Sequence, residues 1–298
     1  MPESAISFYA KAASLDMTWA ATLHCKHTGI VHWPGAATGR SGESIETTHI
    51  INPSWSGYQI DNLAHYVQSG WTIPTVVNPP IGHRYSTSGY ASSIWAGMGG
   101  GTSNLLADRP LIQAGSSQYL SAANVASYYF WYEIVGGSAG TSSEIQVGSP
   151  VAHPGDDVAT VSIWLEDTHS TEFGICDFSD SSPPGGCTQI EWNCPEDGNC
   201  SEEPGAATTE WIVEAPSAGY GVLPLADFGL VDFYNGCWSA TSDAATCYAI
   251  SEPGVTVPVA FWLYRNVFQR RQYLATPGPI TFGSSFTDTY HLPQNPNQ

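Results

Sequence analysis

The chain has 298 residues, enough to bury a sizeable core as one large all-β domain or as two smaller domains. It carries 27 acidic against 8 basic residues, a formal net charge of −19 that disfavours nucleic acid and anionic membranes as partners. No apolar run reaches the length of about 18 residues that a membrane-spanning helix requires.

The first fifty residues are predicted to be an N-terminal extension or pro-segment, followed by one domain over residues 51–298. They hold four of the nine histidines, namely His24, His27, His32 and His49. Gly and Pro between positions 34 and 42 indicate a flexible joint, although an extra strand packed on the core is an equal alternative. Charged side chains interrupt every apolar run before Pro34, so no secretory signal is visible.

From residue 51 onward, short strand-like segments alternate with turns. The chain has 30 Gly and 21 Pro, and 12% of its residues are aromatic, which favours strands and turns over helices. Side chains alternate with period two in Val161–Glu166 and Glu210–Glu214, and Val257–Tyr264 is apolar enough for a strand buried on both faces. A short helical signal occurs at Ile60–Gln68. The pattern as a whole predicts an all-β antiparallel sandwich.

Six of the seven cysteines follow Gly174, in segments rich in Gly and Pro. This clustering indicates disulfides formed in an oxidising compartment, and Cys237 with Cys247 is the first expected pair. The pairing of the other four stays open, and Cys25 is left over. No C-x2-C spacing occurs, so a zinc site is not expected. We therefore expect a secreted protein that uses no metal or other cofactor.

The segment Thr208–Glu214 carries two acids among apolar residues. In a strand, Glu210, Ile212 and Glu214 share one face. Four residues at about 3.3 Å each separate the two carboxylates by roughly 13 Å, too far for them to share a proton. The two acids must therefore have separate roles.

A second segment, Pro110–Gly115, places the amide of Gln113 in a predicted strand. A carboxylate can act as a general base on water, and an amide N–H can stabilise the oxyanion that follows attack on a peptide carbonyl. Together the two segments indicate a peptidase.

Both segments resemble motifs of the glutamic peptidases, the eqolisin family, whose catalytic residues are a Gln and a Glu. Gln113 matches the Gln of an I-L-Q-T/A-G strand, and Glu214 matches the last Glu of an E-[FW]-I-[IV]-E strand. The resemblance covers roughly residues 54 to 291, and further similar segments follow in the family's order: Trp55–Tyr58, Trp71–Val76, Trp95–Gly100, Trp131–Glu133, Ala226–Gly229 and Ser285–Tyr290.

This resemblance implies an acid-active endopeptidase built on two large antiparallel sheets packed face to face, as in concanavalin A-like lectins. Glu214 would be the general base that activates water, and Gln113 would stabilise the oxyanion. Polypeptides are the expected substrates of a monomer, with no nucleic-acid or membrane partner. The residues expected to line the cleft and bind or support the substrate are Trp55, Trp95, Trp131, Tyr132 and Glu133.

Two positions depart from the family pattern. Gly99 stands where the family has the Asp of W-V-G-I-D-G, and Tyr129 stands where an Asp often precedes A-W-Y-E. These departures favour an alternative, a catalytically weakened, lectin-like sandwich that binds sugars or peptides. Neither D-[ST]-G nor H-E-x-x-H occurs, which argues against a pepsin-like aspartic peptidase and a zincin. Gly136–Gly140 matches G-x-S-x-G, but strand-like residues follow where a nucleophile elbow requires a helix.

Overall fold

A computed structural model describes residues 49–100, 110–135, 144–165, 170–179, 186–193, 207–218, 221–242 and 247–294. The predicted extension falls almost entirely outside these ranges, as does the G-x-S-x-G segment. Within them the only helix is a 3-10 turn at Ile81–His83, and none could cross a membrane.

Short strands make up nearly all of the regular structure in the described residues. They are β1 (His49–Asn52), β2 (Trp55–Asn62), β3 (Tyr66–Thr72), β4 (Gly89–Met98), β5 (Leu111–Ser121), β6 (Ala126–Val135), β7 (Ile145–Val147), β8 (Asp157–Leu165), β9 (Ser170–Asp177), β10 (Cys187–Asn193), β11 (Ala207–Glu214), β12 (Ser217–Ala218), β13 (Gly221–Val222), β14 (Leu230–Ser239), β15 (Tyr248–Ala249), β16 (Val259–Val267), β17 (Arg270–Pro277) and β18 (Phe286–Tyr290).

Hydrogen bonds join sixteen strands into a sheet whose main order is β10-β9-β8-β3-β14-β18-β17-β16-β2-β11-β4-β5-β6-β7. All of its pairs are antiparallel except that of β1 with β16. Strands far apart in this order, such as β4 and β8, nevertheless lie against each other, so the sheet folds over into two packed layers. The predicted antiparallel sandwich is confirmed. Its two layers belong to one sheet, and β17 connects them between β18 and β16.

The main core lies between the layers and is rich in aromatic rings. Trp71, Trp211 and Phe233 are fully buried in it. The period-two pattern of β11 explains why this strand can serve both the core and a site. Trp211 and Val213 face the core, while Ile212 belongs to a separate cluster with Trp95 on the opposite face.

The helical signal at Ile60–Gln68 was wrong, because this segment forms the end of β2 and the start of β3. Ile60 and Val67 both enter the main core, and β11 and β14 supply the backbone hydrogen-bond partners that a helix would have provided internally. Tertiary pairing has overridden the local signal.

Two disulfides lie within the described residues. Cys237 bonds to Cys247, as predicted, and Cys176 bonds to Cys187, which ties β9 to β10. The remaining cysteines lie outside the described ranges.

Candidate active site

The candidate general base, Glu214, is the last residue of β11, a strand held between β2 and β4. Its Oε2 accepts a hydrogen bond of 2.9 Å from the indole Nε1 of Trp95. Trp95 is itself fully buried and packs edge-on against Trp55, with ring centroids 5.2 Å apart. The carboxylate is therefore anchored by a side chain that has little freedom to move.

The surroundings of Glu214 favour its neutral form. Burial raises the pKa of Glu214 to about 7, and the nearby acids Glu133 and Glu144 act in the same direction. The indoles of Trp95 and Trp55 oppose this rise by donating toward the carboxylate. A carboxyl group whose pKa lies near neutrality can both accept and return a proton during a reaction.

Gln113 lies on β5, two strands from β11, and only 4% of it is exposed. Its Nε2 donates a hydrogen bond of 2.9 Å to Oε2 of Glu133 on β6. Its Oε1 has no hydrogen-bond partner among the described residues. That oxygen is buried, so one N–H of the amide is the group left to donate to a bound substrate or water.

Glycines on the same face make room for the large rings around these groups. A Cβ at Gly115 would come within 2.7 Å of the Trp95 Cβ and 3.0 Å of the Trp131 ring. A Cβ at Gly97 would lie 3.0 Å from the Trp95 ring and 3.1 Å from the Gln113 Cβ. The glycines at these strand positions therefore leave room for the indoles of Trp95 and Trp131.

Glu214 and Gln113 open into the same cleft, which has a volume of about 780 Å³. Three carboxylates line it, those of Glu133, Glu144 and Glu214, and the lining contains no Lys, Arg or His among the described residues. Trp55 and Trp131 contribute apolar walls. The cleft thus combines carboxylates, an amide and aromatic surface.

A family model described as "Peptidase A4 family" matches residues 53–255, which is more than half of the chain. The chain belongs to the peptidase A4 family. These are the glutamic peptidases that its motifs resemble, and the chain is accordingly a peptidase.

No curated protein matches the A4 chain at a significant level. One similar solved structure is the enzymatically active domain of bacteriophage CBA120 tailspike protein 2, with 10% identity and a TM-score of 0.29. That match covers 63% of this chain and 23% of the tailspike chain, and its TM-score is too low to support any structural argument.

In this A4 peptidase, three of the five expected substrate residues line the cleft, and a fourth contacts a residue that does. Trp55, Trp131 and Glu133 line it, and Trp95 lies behind Glu214 as its hydrogen-bond donor. Tyr132 lies elsewhere, because neighbouring residues of a strand point to opposite faces. Its ring packs on the main core, 4.8 Å from the ring of Phe173.

Glu133 supports Gln113 rather than standing alone in the cleft. Burial raises the pKa of Glu133, and the hydrogen bond from Gln113 partly offsets that rise. Because the carboxylate accepts from one amide hydrogen, it fixes which way the amide of Gln113 is turned.

Sequence reasoning missed Glu144, which stands just before β7 and lines the cleft. Its Oε2 accepts a hydrogen bond of 2.7 Å from the Tyr129 hydroxyl, and its Oε1 accepts one of 3.3 Å from Ser117 Oγ. The only signal in the sequence was Tyr129 itself, a large hydroxyl-bearing residue at a position where the family often has an acid. At this point of the cleft the carboxylate comes instead from the residue just before β7.

The second departure, Gly99, lies at the end of β4 and has a φ of +94°. Its N–H donates to the Thr208 carbonyl at 2.8 Å, and its own carbonyl accepts from the Thr208 hydroxyl at 2.9 Å. This glycine secures β4 against β11 through its backbone. A residue with a side chain would be strained at such a φ.

Among the described residues, one group has spacing suited to a metal ion: His153, Asp156 and Asp177. None of the three lines the cleft. The proposed chemistry therefore draws on none of them.

Proposed function

We propose that the chain is an acid-active endopeptidase in which Glu214 activates water and Gln113 stabilises the oxyanion. The observation that carries this proposal is the pairing of two fixed groups in one cleft: Glu214 held by Trp95, and Gln113 held by Glu133 with one N–H to spare. Fixed donors and acceptors stabilise a transition state without the cost of reorganisation.

In the proposed reaction, ionised Glu214 removes a proton from a water molecule whose oxygen attacks the scissile carbonyl carbon. The carbonyl electrons move to its oxygen, which accepts a hydrogen bond from the free N–H of Gln113. Glu214 then passes its proton to the amide nitrogen, the C–N bond breaks, and an amine and a carboxylic acid leave. Gln113 can act at any pH in this scheme because an amide does not titrate.

Rising pH has two opposing effects on activity. It ionises the proposed base Glu214, but it also ionises buried acids that are neutral in the folded protein. Since the pKa of Glu214 is about 7, only about one molecule in a thousand has the ionised base at pH 4, and this fraction rises about tenfold per pH unit. Ionisation of the buried acids Glu210 and Asp288, whose pKa values are also raised, opposes folding as the pH rises. Activity should therefore peak in mildly acid solution.

Secretion is part of the proposal. The disulfides Cys176–Cys187 and Cys237–Cys247 support folding in an oxidising compartment, and a cleft of this size suits a polypeptide chain in an extended conformation. We propose that the protein acts outside the cell, as a monomer, on polypeptide substrates.

The test is digestion of denatured casein or haemoglobin across pH 2 to 7, with and without pepstatin. Peptides should appear below neutral pH and be insensitive to pepstatin, and Glu214→Gln should produce none. No cleavage by folded protein freed of any pro-segment would contradict the peptidase mechanism.

A further inference from the structure

Outside the cleft, one imidazole and two carboxylates converge at the point where the chain enters β8. The ligating atoms of His153, Asp156 and Asp177 all lie within 4.8 Å of one another. His153 and Asp156 belong to the turn just before β8, and Asp177 is the last residue of β9. Because β8 pairs with β9 through Val158 and Asp177, two separate segments of the chain bring their side chains to one place.

Backbone hydrogen bonds hold both segments in position. The Gly155 N–H donates to the Ile73 carbonyl at 2.8 Å, and the Ile73 N–H donates to the Asp156 carbonyl at 2.8 Å. The Ser179 N–H donates to Oδ1 of Asp177 at 2.8 Å, which orients that carboxylate. Bonds of this kind from neighbouring groups are what orient the ligands of a metal site.

The distances suit a small ion. Nδ1 of His153 lies 3.3 Å from Oδ2 of Asp156. In a tetrahedral zinc site with bonds of about 2.1 Å, ligand atoms are about 3.4 Å apart, so this pair already has the required separation. The widest pair in the group has to close by about 1.4 Å or less to reach the same value. The side chain of His153 is 64% exposed and is therefore free to turn toward an ion.

The donor set selects a class of ion. It consists of one imidazole nitrogen and two carboxylate oxygens. Calcium and magnesium take oxygen ligands, whereas imidazole suits zinc and the other divalent transition metals. Three protein ligands leave one position of a tetrahedral ion for water, and the exposed imidazole places that position at the surface.

We propose that His153, Asp156 and Asp177 form a structural site for one divalent transition-metal ion of the zinc class. The ion would tie the segment between β7 and β8 to the end of β9. β7 ends the sheet order beside β6, whereas β8 pairs with β3 in the other layer, so this segment is a crossover between the two layers. The site takes no part in the proposed peptidase mechanism.

The test uses the full chain, freed of metal with EDTA and titrated with zinc chloride at pH 7, where an imidazole ligand can be neutral. Calorimetry should show a binding event that His153→Gln and Asp156→Asn each remove. Zinc at about a hundred times its Kd should raise the unfolding temperature of the unsubstituted protein by about 5 °C. His153 is largely exposed, so its substitution leaves the packing of the core intact.

Asp232→Asn, an exposed acid on β14, is the control and should keep both the binding event and the temperature shift. Calcium chloride at the same concentration should give a much smaller shift, because calcium gains little from the imidazole. No response to zinc would show that His153 and Asp156 form only an ion pair and would overturn the proposal. A shift that survives both ligand variants, or an equal shift with calcium, overturns it as well. None of these outcomes depends on peptide cleavage.

Discussion

Trp95 and Glu214 are joined by a hydrogen bond of 2.9 Å from indole to carboxylate, although they lie 119 residues apart in the sequence. Trp95 pairs with Ile212 across β4 and β11, so its indole reaches two residues along β11 to meet Glu214. The bond fixes one carboxylate oxygen and favours the ionised state that a general base needs. A single buried ring thereby holds the carboxylate of the proposed base in place and partly opposes the rise in its pKa that burial causes.

Trp95→Phe keeps an aromatic ring in the cluster but removes the N–H. Because hydrogen bonds to charged groups contribute about 1.5–3 kcal/mol, we expect kcat/KM at pH 5 to fall by about tenfold or more. Loss of a donor to the carboxylate should also raise the pKa of Glu214 and move the acid limb of the pH profile upward. Trp131→Phe is the matched control, because Trp131 lines the same cleft and its Nε1 has no hydrogen-bond partner among the described residues. An unchanged acid limb in Trp95→Phe would show that the indole does not tune the base.

Glu214→Gln and Glu210→Gln form a matched pair on one strand. The first should lower kcat by about 10²–10⁴-fold because it removes the general base. The second should leave substantial activity, since Glu210 does not line the cleft and lies roughly 13 Å from Glu214 along the strand. Peptide hydrolysis at pH 5, with folding checked by circular dichroism, separates the two. Equal losses in both variants would refute the assigned roles.

Gln113→Ala should reduce kcat by about 10²–10³-fold, the usual effect of losing one oxyanion donor, with a smaller change in KM. Glu133→Ala should cost less, because the amide of Gln113 remains but is no longer held. In Gln113→Ala the pH profile should keep its shape, since the amide does not titrate. In Glu133→Ala the acid limb should move slightly to lower pH, because an acid that raises the pKa of Glu214 is removed. If the rate at the pH optimum did not fall in Glu133→Ala, Glu133 would act through its charge alone and not by holding Gln113.

The sequence was sufficient for those features that depend on local periodicity. Glu210–Glu214 alternates with period two, and β11 turns Trp211 into the core and Glu214 into the cleft. The same rule already separates Tyr132 from its neighbours, because residues 131 and 133 share a face that residue 132 cannot. Alternation along β6 therefore turns Tyr132 to the main core while Trp131 and Glu133 line the cleft.

Glu144 could not have been predicted, because its position depends on which strands become neighbours. It belongs to no motif, and it reaches Tyr129 only because β7 pairs with β6 through Phe130–Tyr132. The hydrogen bond between Gln113 and Glu133 is likewise a consequence of the register of β5 against β6. Register is set by long-range pairing, and a single sequence leaves it open.

Two buried acids give the fold itself a pH dependence. Asp288 is fully buried, and burial raises its pKa to about 8, although the Ser56 hydroxyl donates to it at 2.9 Å. Burial also raises the pKa of Glu210 well above its ordinary value, and neither of its carboxylate oxygens has a hydrogen-bond partner among the described residues. Both groups are therefore held neutral in the folded protein.

The sign of the effect on stability follows from proton binding. In the unfolded chain an Asp titrates near about 3.9, so between about pH 4 and pH 8 the folded state binds the additional proton at Asp288. The stabilising contribution of neutral Asp288 is complete below about pH 4 and is lost as the pH rises through the folded pKa. The slope for one such group is about 1.4 kcal/mol of unfolding free energy per pH unit.

Asp288→Asn should flatten this dependence, because the amide stays neutral and its oxygen can still accept from Ser56. We expect the variant to unfold at a higher temperature than the unsubstituted protein at pH 7, and at a similar temperature at pH 3. Asp232→Asn, an exposed position on β14, is the control and should keep the original slope. Thermal unfolding followed by circular dichroism from pH 3 to pH 8 gives the measurement. If Asp288→Asn and Asp232→Asn gave the same slope as the unsubstituted protein, ionisation of Asp288 would not be what weakens the fold near neutral pH.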